Sequence, residues 1–310
     1  YHCLSSGINA EYMGICNRIS LKPPTMSTSS SACPAGRPTA AAIVVLAAVL
    51  LAAQAHAGVH HLPGSHPTGH RKGHRPPFRP GPWKRAHATF YGFPDGEGTF
   101  QGACGYDDTR TEGFGTMTAA MSQAMFNEGQ ICGACFEMQC VEDPEWCKPG
   151  QPSIGVTATN LCPPNPSQAS DNGGWCNPPR EHFDLTEPAF LQLATDLKAG
   201  ILPVQYRRVP CKKQGGIRFT VTGNEYFNLV LVWNVGGAGD VTSVQVKGNK
   251  DLKWTQLTRN WGQKWQTGAK MVGESLTFRV GTGDGRFSTS WHVAPKDWQF
   301  GQTFEGKNFR

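Results

Sequence analysis

The sequence predicts a mainly β protein with two folded regions, a small disulfide-stapled β-barrel followed by a β-sandwich that lacks cysteine. Eight cysteines fall within residues 104–211 and none lies beyond them. An even number of cysteines in a secreted chain is typical of a disulfide framework. Short runs of alternating apolar and polar residues, separated by Gly, Pro and Asn, recur through both regions and are typical of β-strands.

The first 57 residues are interpreted as sequence that precedes the mature protein. An apolar run of 14 residues, 40–53, follows Met26 and Arg37, and small-residue cleavage patterns end at Ala55 and Ala57. This order is typical of a secretory signal peptide. The alternative, a membrane anchor, is disfavoured because the run is short for a hydrocarbon core of about 30 Å. We therefore interpret 26–57 as a signal peptide and 1–25 as translated upstream sequence, with Met13 as an alternative start.

Residues 58–85 form a segment rich in histidine, proline and basic residues, with little apolar surface to bury. Such a composition predicts a disordered or extended chain. The histidines leave metal binding open as an alternative to a solvated basic tail.

The barrel domain is predicted to span 86–211, with strands near 86–92, 135–141, 154–161 and 204–210. A helix is expected to begin at Thr186-Glu187-Pro188 and to end before Gly200, because Pro is favoured at a helix start and Gly at a helix stop. A weaker pattern predicts a second helix over 117–127.

A short linker, 212–218, is expected to join the barrel to a sandwich domain over 219–310. Six short strand-like runs follow the linker, bounded by Gly-rich turns such as 236–239 and 281–285. This spacing of strands is typical of a β-sandwich with an immunoglobulin-like arrangement. The predicted runs are 217–222, 227–234, 241–247, 254–258, 275–280 and 290–293.

The cysteine pattern leaves the disulfide pairing open, because eight cysteines allow 105 connectivities. Cys132 and Cys135 have the C-x-x-C spacing of a zinc site, but no second pair completes such a site. We expect neither a metal nor a cofactor.

The charge is distributed unevenly between the two domains. Residues 86–211 contain 6 Lys and Arg against 15 Asp and Glu, a net of −9, whereas residues 219–310 contain 11 against 7, a net of +4. The basic region is compatible with binding to acidic polymers such as pectin, or with solubility alone. The sequence shows no nucleic-acid-reading motif, and we expect a monomer.

Ten motifs in collinear order resemble the plant α-expansins. The tripeptide His182-Phe183-Asp184 is one of them. The others lie at 88–92, 102–106, 132–136, 157–160, 171–179, 206–211, 234–240, 259–265 and 299–303.

The resemblance implies a six-stranded double-psi β-barrel followed by a carbohydrate-binding β-sandwich similar to that of grass pollen allergens. It implies a secreted protein of the cell wall that loosens contacts between cellulose and matrix glucans such as xyloglucan at acidic pH, without evident hydrolysis. It also implies the disulfides Cys104–Cys132, Cys135–Cys211 and Cys140–Cys147, which leaves Cys162–Cys176.

The first domain is also similar to the family-45 endoglucanases, and this resemblance implies a groove with a general acid at Asp184. Thr89 and Tyr91 match the start of the catalytic motif of those enzymes, but no carboxylate stands where their base would follow. Asn160 matches a position at which some relatives keep an aspartate, and an amide cannot act as a base. Glycoside hydrolysis requires two carboxylates, so we expect no lytic activity.

Competing interpretations of these groove residues remain open in the sequence. Asp184 and Glu187 have capping-box spacing before the predicted helix, so Asp184 could cap that helix as well as line a groove. His182 could orient the acid or only pack. Asp95 or Glu97 could replace the missing base, although both lie in a Gly-rich stretch typical of a solvated turn.

Aromatic residues of the second domain divide into core and surface candidates. Trp233 alternates with Leu231, Leu229 and Phe227 along one strand, which predicts a core position for Trp233. Tyr226, Trp261 and Trp265 are predicted to be platforms for sugar rings.

Three functions therefore remain as hypotheses. The first is non-hydrolytic loosening of cell walls. The second is a β-1,4-endoglucanase with a relocated base, and the third is a passive polysaccharide-binding module.

Overall fold

Two β-rich regions make up the part of the chain that the computed structural model describes, residues 75–250 and 253–309. The predicted upstream segment and signal peptide, and residues 58–74 of the basic segment, lie outside the described residues. Within the described ranges, no helix is both long enough and apolar enough to cross a membrane.

Six strands close into a barrel with the order β1-β5-β2-β4-β3-β6. The strands are β1 (Lys84–Tyr91), β2 (Thr118–Ser122), β3 (Cys135–Cys140), β4 (Ser153–Cys162), β5 (His182–Thr186) and β6 (Leu202–Val209). β1 runs parallel to β5, and β2 runs parallel to β4. The interior of the barrel is apolar, and Phe136, Phe183 and Tyr206 pack edge to face inside it.

The predicted helix over 117–127 is mostly wrong. Thr118–Ser122 forms β2, in which every residue is buried, and only the short helix α1 (Gln123–Phe126) follows it. The small residues of this stretch suit a helix in isolation. Hydrogen bonding to strands on both sides overrides that local preference.

The second predicted helix exists but is shorter than expected. Helix α2 (Glu187–Leu193) begins with Pro188 in its first turn, and a separate 3-10 turn (Leu197–Ala199) ends at Gly200. Strand β5, which delivers the chain to this helix, was missing from the predicted strands.

All four disulfides implied by the resemblance are present. They join Cys104 to Cys132, Cys135 to Cys211, Cys140 to Cys147 and Cys162 to Cys176. The C-x-x-C cysteines therefore belong to two different bridges, which rules out the zinc interpretation for that pair. Among the described residues, no group of three His, Cys, Asp or Glu is placed to hold a metal ion.

Residues 58–85 were predicted to be disordered or extended, and disorder is the wrong alternative for the last two residues. Lys84 and Arg85 belong to β1. The preceding residues lack regular structure but contact the folded chain, since Gly81 N donates to Arg208 O at 2.9 Å. Arg207 lies 4.5 Å from the ring centre of Trp83.

The second region is a two-sheet β-sandwich, which together with the closed barrel confirms the predicted fold class. One sheet has five strands in the order β11-β12-β8-β7-β15 and the other has four in the order β10-β9-β13-β14. The strands are β7 (Arg218–Asn224), β8 (Phe227–Trp233), β9 (Val241–Lys247), β10 (Thr255–Gln256), β11 (Thr258–Trp261), β12 (Lys264–Thr267), β13 (Leu276–Thr282), β14 (Phe287–Ala294) and β15 (Thr303–Glu305).

The face of β8 that forms the sandwich core is the opposite of the predicted one. Val230 and Val232 are buried in the core between the sheets. Leu231 and Trp233 point to the outer face, where they pack against the cluster around Cys104 and Cys132 of the barrel domain. Alternation along a strand identifies two faces, but both faces of β8 are covered and both are apolar.

A hairpin of the sandwich docks onto the barrel domain. At the tip of the β11–β12 hairpin, Gln263 N donates to Cys104 O at 2.8 Å, and Gln263 Nε2 donates to Cys132 O at 2.7 Å. Lys264 pairs with Asp107 at 2.8 Å, and Arg208 pairs with Asp240 at 2.9 Å. The acidic and basic domains are thus joined by two ion pairs as well as by apolar packing.

Candidate functional site

Strand register places four side chains of distant sequence position in one row across the barrel. Thr89 of β1 is paired with Asp184 of β5, and Asp184 with Ala120 of β2. Ala120 is in turn paired with Asn160 of β4. Neighbours of Asp184 along β5, Phe183 and Leu185, point into the barrel core. Since side chains alternate along a strand, Asp184 projects to the outside of the barrel.

Hydrogen bonds order the Asp184 carboxyl through Thr89. Thr89 Oγ1 donates to Asp184 Oδ1 at 2.7 Å and lies 2.8 Å from Nε2 of the buried His182. A threonine hydroxyl has one hydrogen, so Nε2 of His182 is the donor to Thr89. His182 therefore orients the acid through Thr89, and the interpretation that it only packs is incomplete.

The surroundings make Asp184 a weak acid and His182 a neutral ring. Burial raises the pKa of the Asp184 carboxyl from 3.8 to about 6, although the bond from Thr89 opposes the rise. Burial lowers the pKa of His182 to about 3, with smaller contributions from His87 and Arg180. Near pH 5, Asp184 is therefore a protonated acid and His182 is uncharged.

Asn160 in the row, and Tyr91 two residues after Thr89 on the same face of β1, add no base. Burial raises the pKa of Tyr91 to about 12, while the neighbouring Asn160 side chain opposes the rise. Asn160 Oδ1 accepts hydrogen bonds from Ala103 N and Leu161 N, both at 2.8 Å. The backbone thus fixes the Asn160 amide two strands away from Asp184, about 10 Å at ordinary strand spacing.

The other interpretations of the acids are not supported by their positions. Thr186, and not Asp184, is the N-cap residue of α2, and no side chain caps that helix. Asp95 Oδ1 accepts a hydrogen bond from Glu97 N within the turn, as expected for a solvated loop. Within 75–250 and 253–309, no second carboxylate contributes to the pKa shift of Asp184.

Trp261 lies on the sandwich hairpin that docks onto the barrel domain next to this row. Its side chain is 45 % exposed at the tip of the hairpin that docks on Cys104. Residues 103 and 104 link the two parts, because Ala103 N donates to Asn160 Oδ1 and Gln263 N donates to Cys104 O. The row around Asp184 and the hairpin that carries Trp261 therefore contact one stretch of backbone, residues 103 and 104.

The predicted platforms differ in how accessible they are. Tyr226 is 67 % exposed in the turn before β8, whereas Trp265 is 3 % exposed. Trp265 as a platform is therefore a wrong prediction: it pairs with Val230 and faces the core, with Arg259 lying 4.5 Å from its ring centre. The sequence reasoning missed Phe227, which is exposed on the same outer face as Trp261.

The raised pKa of Asp184 predicts a pH-dependent change in stability on replacement by asparagine. The folded-state pKa exceeds the unfolded value, so the contribution of Asp184 to stability is fully present below about pH 4 and is lost as the pH rises through 6. Asp184→Asn should therefore raise the free energy of unfolding at pH 7 by about 2–3 kcal/mol and change it little at pH 4.

Denaturant titrations of both proteins at the two pH values measure this difference. Burial also raises the pKa of Glu112 to about 7, but this group is present in both proteins and cancels in the comparison. An equal change in stability at pH 4 and pH 7 would contradict the assignment.

Comparisons with known proteins match both regions. A family model described as the expansin C-terminal domain matches residues 217–295, and one described as lytic transglycolase matches 118–206. Expansin-A32 of Oryza sativa subsp. japonica is 66 % identical over 233 residues, which cover 75 % of this chain and 86 % of that protein.

Solved structures share the fold at low identity. An apo expansin of Clavibacter michiganensis matches with a TM-score of 0.54 and 20 % identity, over 73 % of this chain and 96 % of that one. A point mutant of the same bacterial protein in complex with cellohexaose matches with the same TM-score and identity, over 72 % and 95 % of the two chains. Because 66 % of the 233 aligned residues are identical to those of expansin-A32, over 86 % of that protein, this chain belongs to the expansin family, among the plant α-expansins.

Proposed function

We propose that this protein loosens plant cell walls by binding cellulose and matrix glucans such as xyloglucan and disrupting their non-covalent contacts, without cutting the chains. The observation that carries the proposal is the row on the barrel. It presents one carboxyl of raised pKa, Asp184, and an amide, Asn160, two strands away. Hydrolysis requires a second carboxylate that acts as base or nucleophile.

The sandwich would supply the anchor. Trp261 and Tyr226 expose flat rings, and Phe227 adds a third ring on the outer face of the five-stranded sheet. Each ring that covers roughly 100 Å² of apolar sugar surface contributes about 2.5 kcal/mol at most. Association costs offset much of this gain, so the affinity should be micromolar or weaker. The cellohexaose complex of the bacterial expansin supports a glucan ligand for this fold.

Acidic pH is expected to favour the activity, because Asp184 takes up its proton near pH 6. The protonated carboxyl can donate a hydrogen bond to a glucan oxygen, whereas the carboxylate can only accept. The site of action would be the acidic extracellular cell wall, where acidic pectin is a further expected polymer. We expect the protein to act as a monomer.

One observation favours the second candidate function, an endoglucanase. A buried carboxyl with a pKa of about 6 has the property of a general acid. The remaining requirement is a base placed opposite Asp184. Asp95 accepts a hydrogen bond from Glu97 N within its own turn, and neither Asp95 nor Glu97 contributes to the pKa shift of Asp184.

Replacement of the exposed tryptophan tests the proposed anchor. Trp261→Ala should lower binding to cellulose severalfold and reduce the extension of isolated wall strips held under constant load at pH 5. The reason is that the variant loses up to about 2.5 kcal/mol of ring contact. Sedimentation with cellulose and a creep assay measure the two effects. A wild-type protein that binds cellulose but causes no extension would instead be a passive binding module.

A further inference from the structure

A second aromatic surface lies on the outer face of the four-stranded sheet, on the side of the sandwich away from Trp261. We call it the Trp291 face and define it by Trp254, Lys247, Trp291, Arg279 and Phe287. In β13 and β14 the core positions are Phe278, Val280, Ser288 and Ser290. The intervening side chains therefore point outward.

Strand register arranges these side chains as alternating rings and cations. Thr255 of β10 is paired with Val246 of β9, so Trp254 lies beside Lys247. On the other side of β9, Lys247 is paired with Thr277 of β13, the strand next to β14. Arg279 is paired with Thr289, between Trp291 and Phe287 along β14. The Lys247 ammonium thus lies between two indoles, and the Arg279 guanidinium lies over the third ring.

Distances confirm the arrangement. Nζ of Lys247 is 5.1 Å from the ring centre of Trp254 and 4.8 Å from that of Trp291, and the two ring centres are 6.4 Å apart. The guanidinium of Arg279 is 4.4 Å from the ring centre of Phe287. Trp291 is 62 % exposed and Phe287 is 54 % exposed, so both rings are accessible to a ligand.

The cations of this face differ from the cation beside Trp261. Lys264 lies 5.2 Å from the ring centre of Trp261, but its charge is paired with Asp107 at 2.8 Å. Lys247 and Arg279 make no ion pair with any residue in the described ranges. The Trp261 surface is therefore suited to a neutral sugar, whereas the Trp291 face has two positive charges left for a ligand.

We propose that the Trp291 face binds an anionic, uronate-containing polysaccharide. A pyranose ring stacks on Trp291, and carboxylates of the same polymer pair with Lys247 and Arg279. Aromatic faces bind the apolar faces of sugars through contact area, and the two cations select a polymer that carries negative charge. The inference rests on the proposed function only in placing the protein among cell-wall polysaccharides. It adds a second ligand, bound on the opposite side of the sandwich from cellulose.

The chain's N-terminal segment reaches one edge of this face but leaves its rings exposed. Arg75 Nη1 donates to Asp284 O at 3.1 Å, and Arg75 lines a cavity with Phe287 and Trp291. Residues 58–74 contain Arg71, Lys72 and no acidic residue, so they have the same sign of charge as Lys247 and Arg279. The acidic barrel of a second copy has the complementary sign, and the experiment therefore includes self-association as an outcome.

The test compares binding of the full mature protein to polygalacturonate, to the same polymer with its carboxyls methyl-esterified, and to cellulose. Wild type should bind polygalacturonate more tightly than the esterified polymer. Lys247→Gln with Arg279→Gln should lower the affinity for polygalacturonate at least about tenfold, a loss of about 1.4 kcal/mol, and leave cellulose binding unchanged. Trp291→Ala should weaken binding to both galacturonan polymers.

The matched control, Lys212→Gln with Lys270→Gln, removes the same charge from exposed positions elsewhere. It should have little effect on the affinity for polygalacturonate.

Three outcomes would overturn the proposal. The first is an equal loss of affinity for polygalacturonate in the two double variants, and the second is no loss in either. The third is a wild-type dimer, detected by light scattering, that the Trp291→Ala substitution dissociates. Failure of the proposed function looks different. In that case the wild type would neither bind cellulose nor extend walls, while its binding to polygalacturonate would still depend on Lys247 and Arg279.

Discussion

Replacement of Asp184 by asparagine is expected to abolish the acid-induced increase in wall extension. In the wild type, the side chain changes from carboxylate to carboxylic acid near pH 6, and this change supplies a donor to the bound glucan. Asparagine has nearly the same shape, and its amide donates hydrogen bonds at every pH because it does not titrate. The extension rate of the variant should therefore be nearly the same at pH 7 and at pH 5, with no increase on acidification. Creep of isolated wall strips under constant load measures this rate.

A matched control separates the role of Asp184 from loss of negative charge. Asp95→Asn makes the same chemical change in the solvated turn, where the side chain accepts a hydrogen bond from Glu97 N. This variant should keep the wild-type response to acid. Unfolding is not an alternative explanation for Asp184→Asn, since that variant is expected to be more stable than wild type at pH 7. An undiminished acid response in Asp184→Asn would remove Asp184 from the mechanism.

Loss of the Cys135–Cys211 bridge is expected to have the largest effect on stability. The bridge closes a loop with a sequence separation of 76 and ends beside the linker, where Cys211 and Gly237 exchange backbone hydrogen bonds. The chain-entropy relation predicts a loss of about 4.5 kcal/mol on removal of a loop of this length. Cys135→Ser with Cys211→Ser should show this loss in guanidinium titrations under non-reducing conditions.

The short bridge Cys140–Cys147, with a sequence separation of 7, provides the comparison. The same relation gives about 2.4 kcal/mol for Cys140→Ser with Cys147→Ser. The long-loop variant should therefore be less stable than the short-loop variant by about 2 kcal/mol. Equal stabilities for the two variants would show that loop length does not govern the contribution of these disulfides.

Much of the fold follows from local signals in the sequence. Cysteine count, alternating runs and Gly-rich turns were sufficient to predict the two β domains. The pairing of the cysteines required the family resemblance, because the counts alone do not distinguish the alternatives. Pro188 and Gly200 marked the start of α2 and the end of the 3-10 turn behind it, since both residues act through the local backbone.

Features that depend on tertiary contacts were the ones that local reasoning missed. Thr118–Ser122 is helix-like in composition but lies between two other strands of the barrel. The two faces of β8 are both apolar, so the pattern could not show that Trp233 faces the barrel domain. Trp265 and Trp291 have similar polar neighbours in sequence, yet one faces the core and the other is exposed.

The candidate site was predictable in its members but not in its geometry. Asp184, Thr89, Tyr91 and Asn160 were identified through resemblance to known motifs. The two hydrogen bonds that connect His182, Thr89 and Asp184 depend on the parallel pairing of β1 with β5. Residues that are 93 and 95 positions apart meet there, and no local sequence signal reports that contact.

The most direct test of the central claim is the count of new reducing ends during wall extension. Purified mature protein is applied to isolated walls, and separately to soluble β-1,4-glucan, at pH 5. We predict that the walls extend while reducing ends stay at the level of the buffer control. The account would be contradicted if reducing ends accumulated in proportion to extension and disappeared in Asp184→Asn. That result would identify the protein as a glucanase with a base that lies elsewhere.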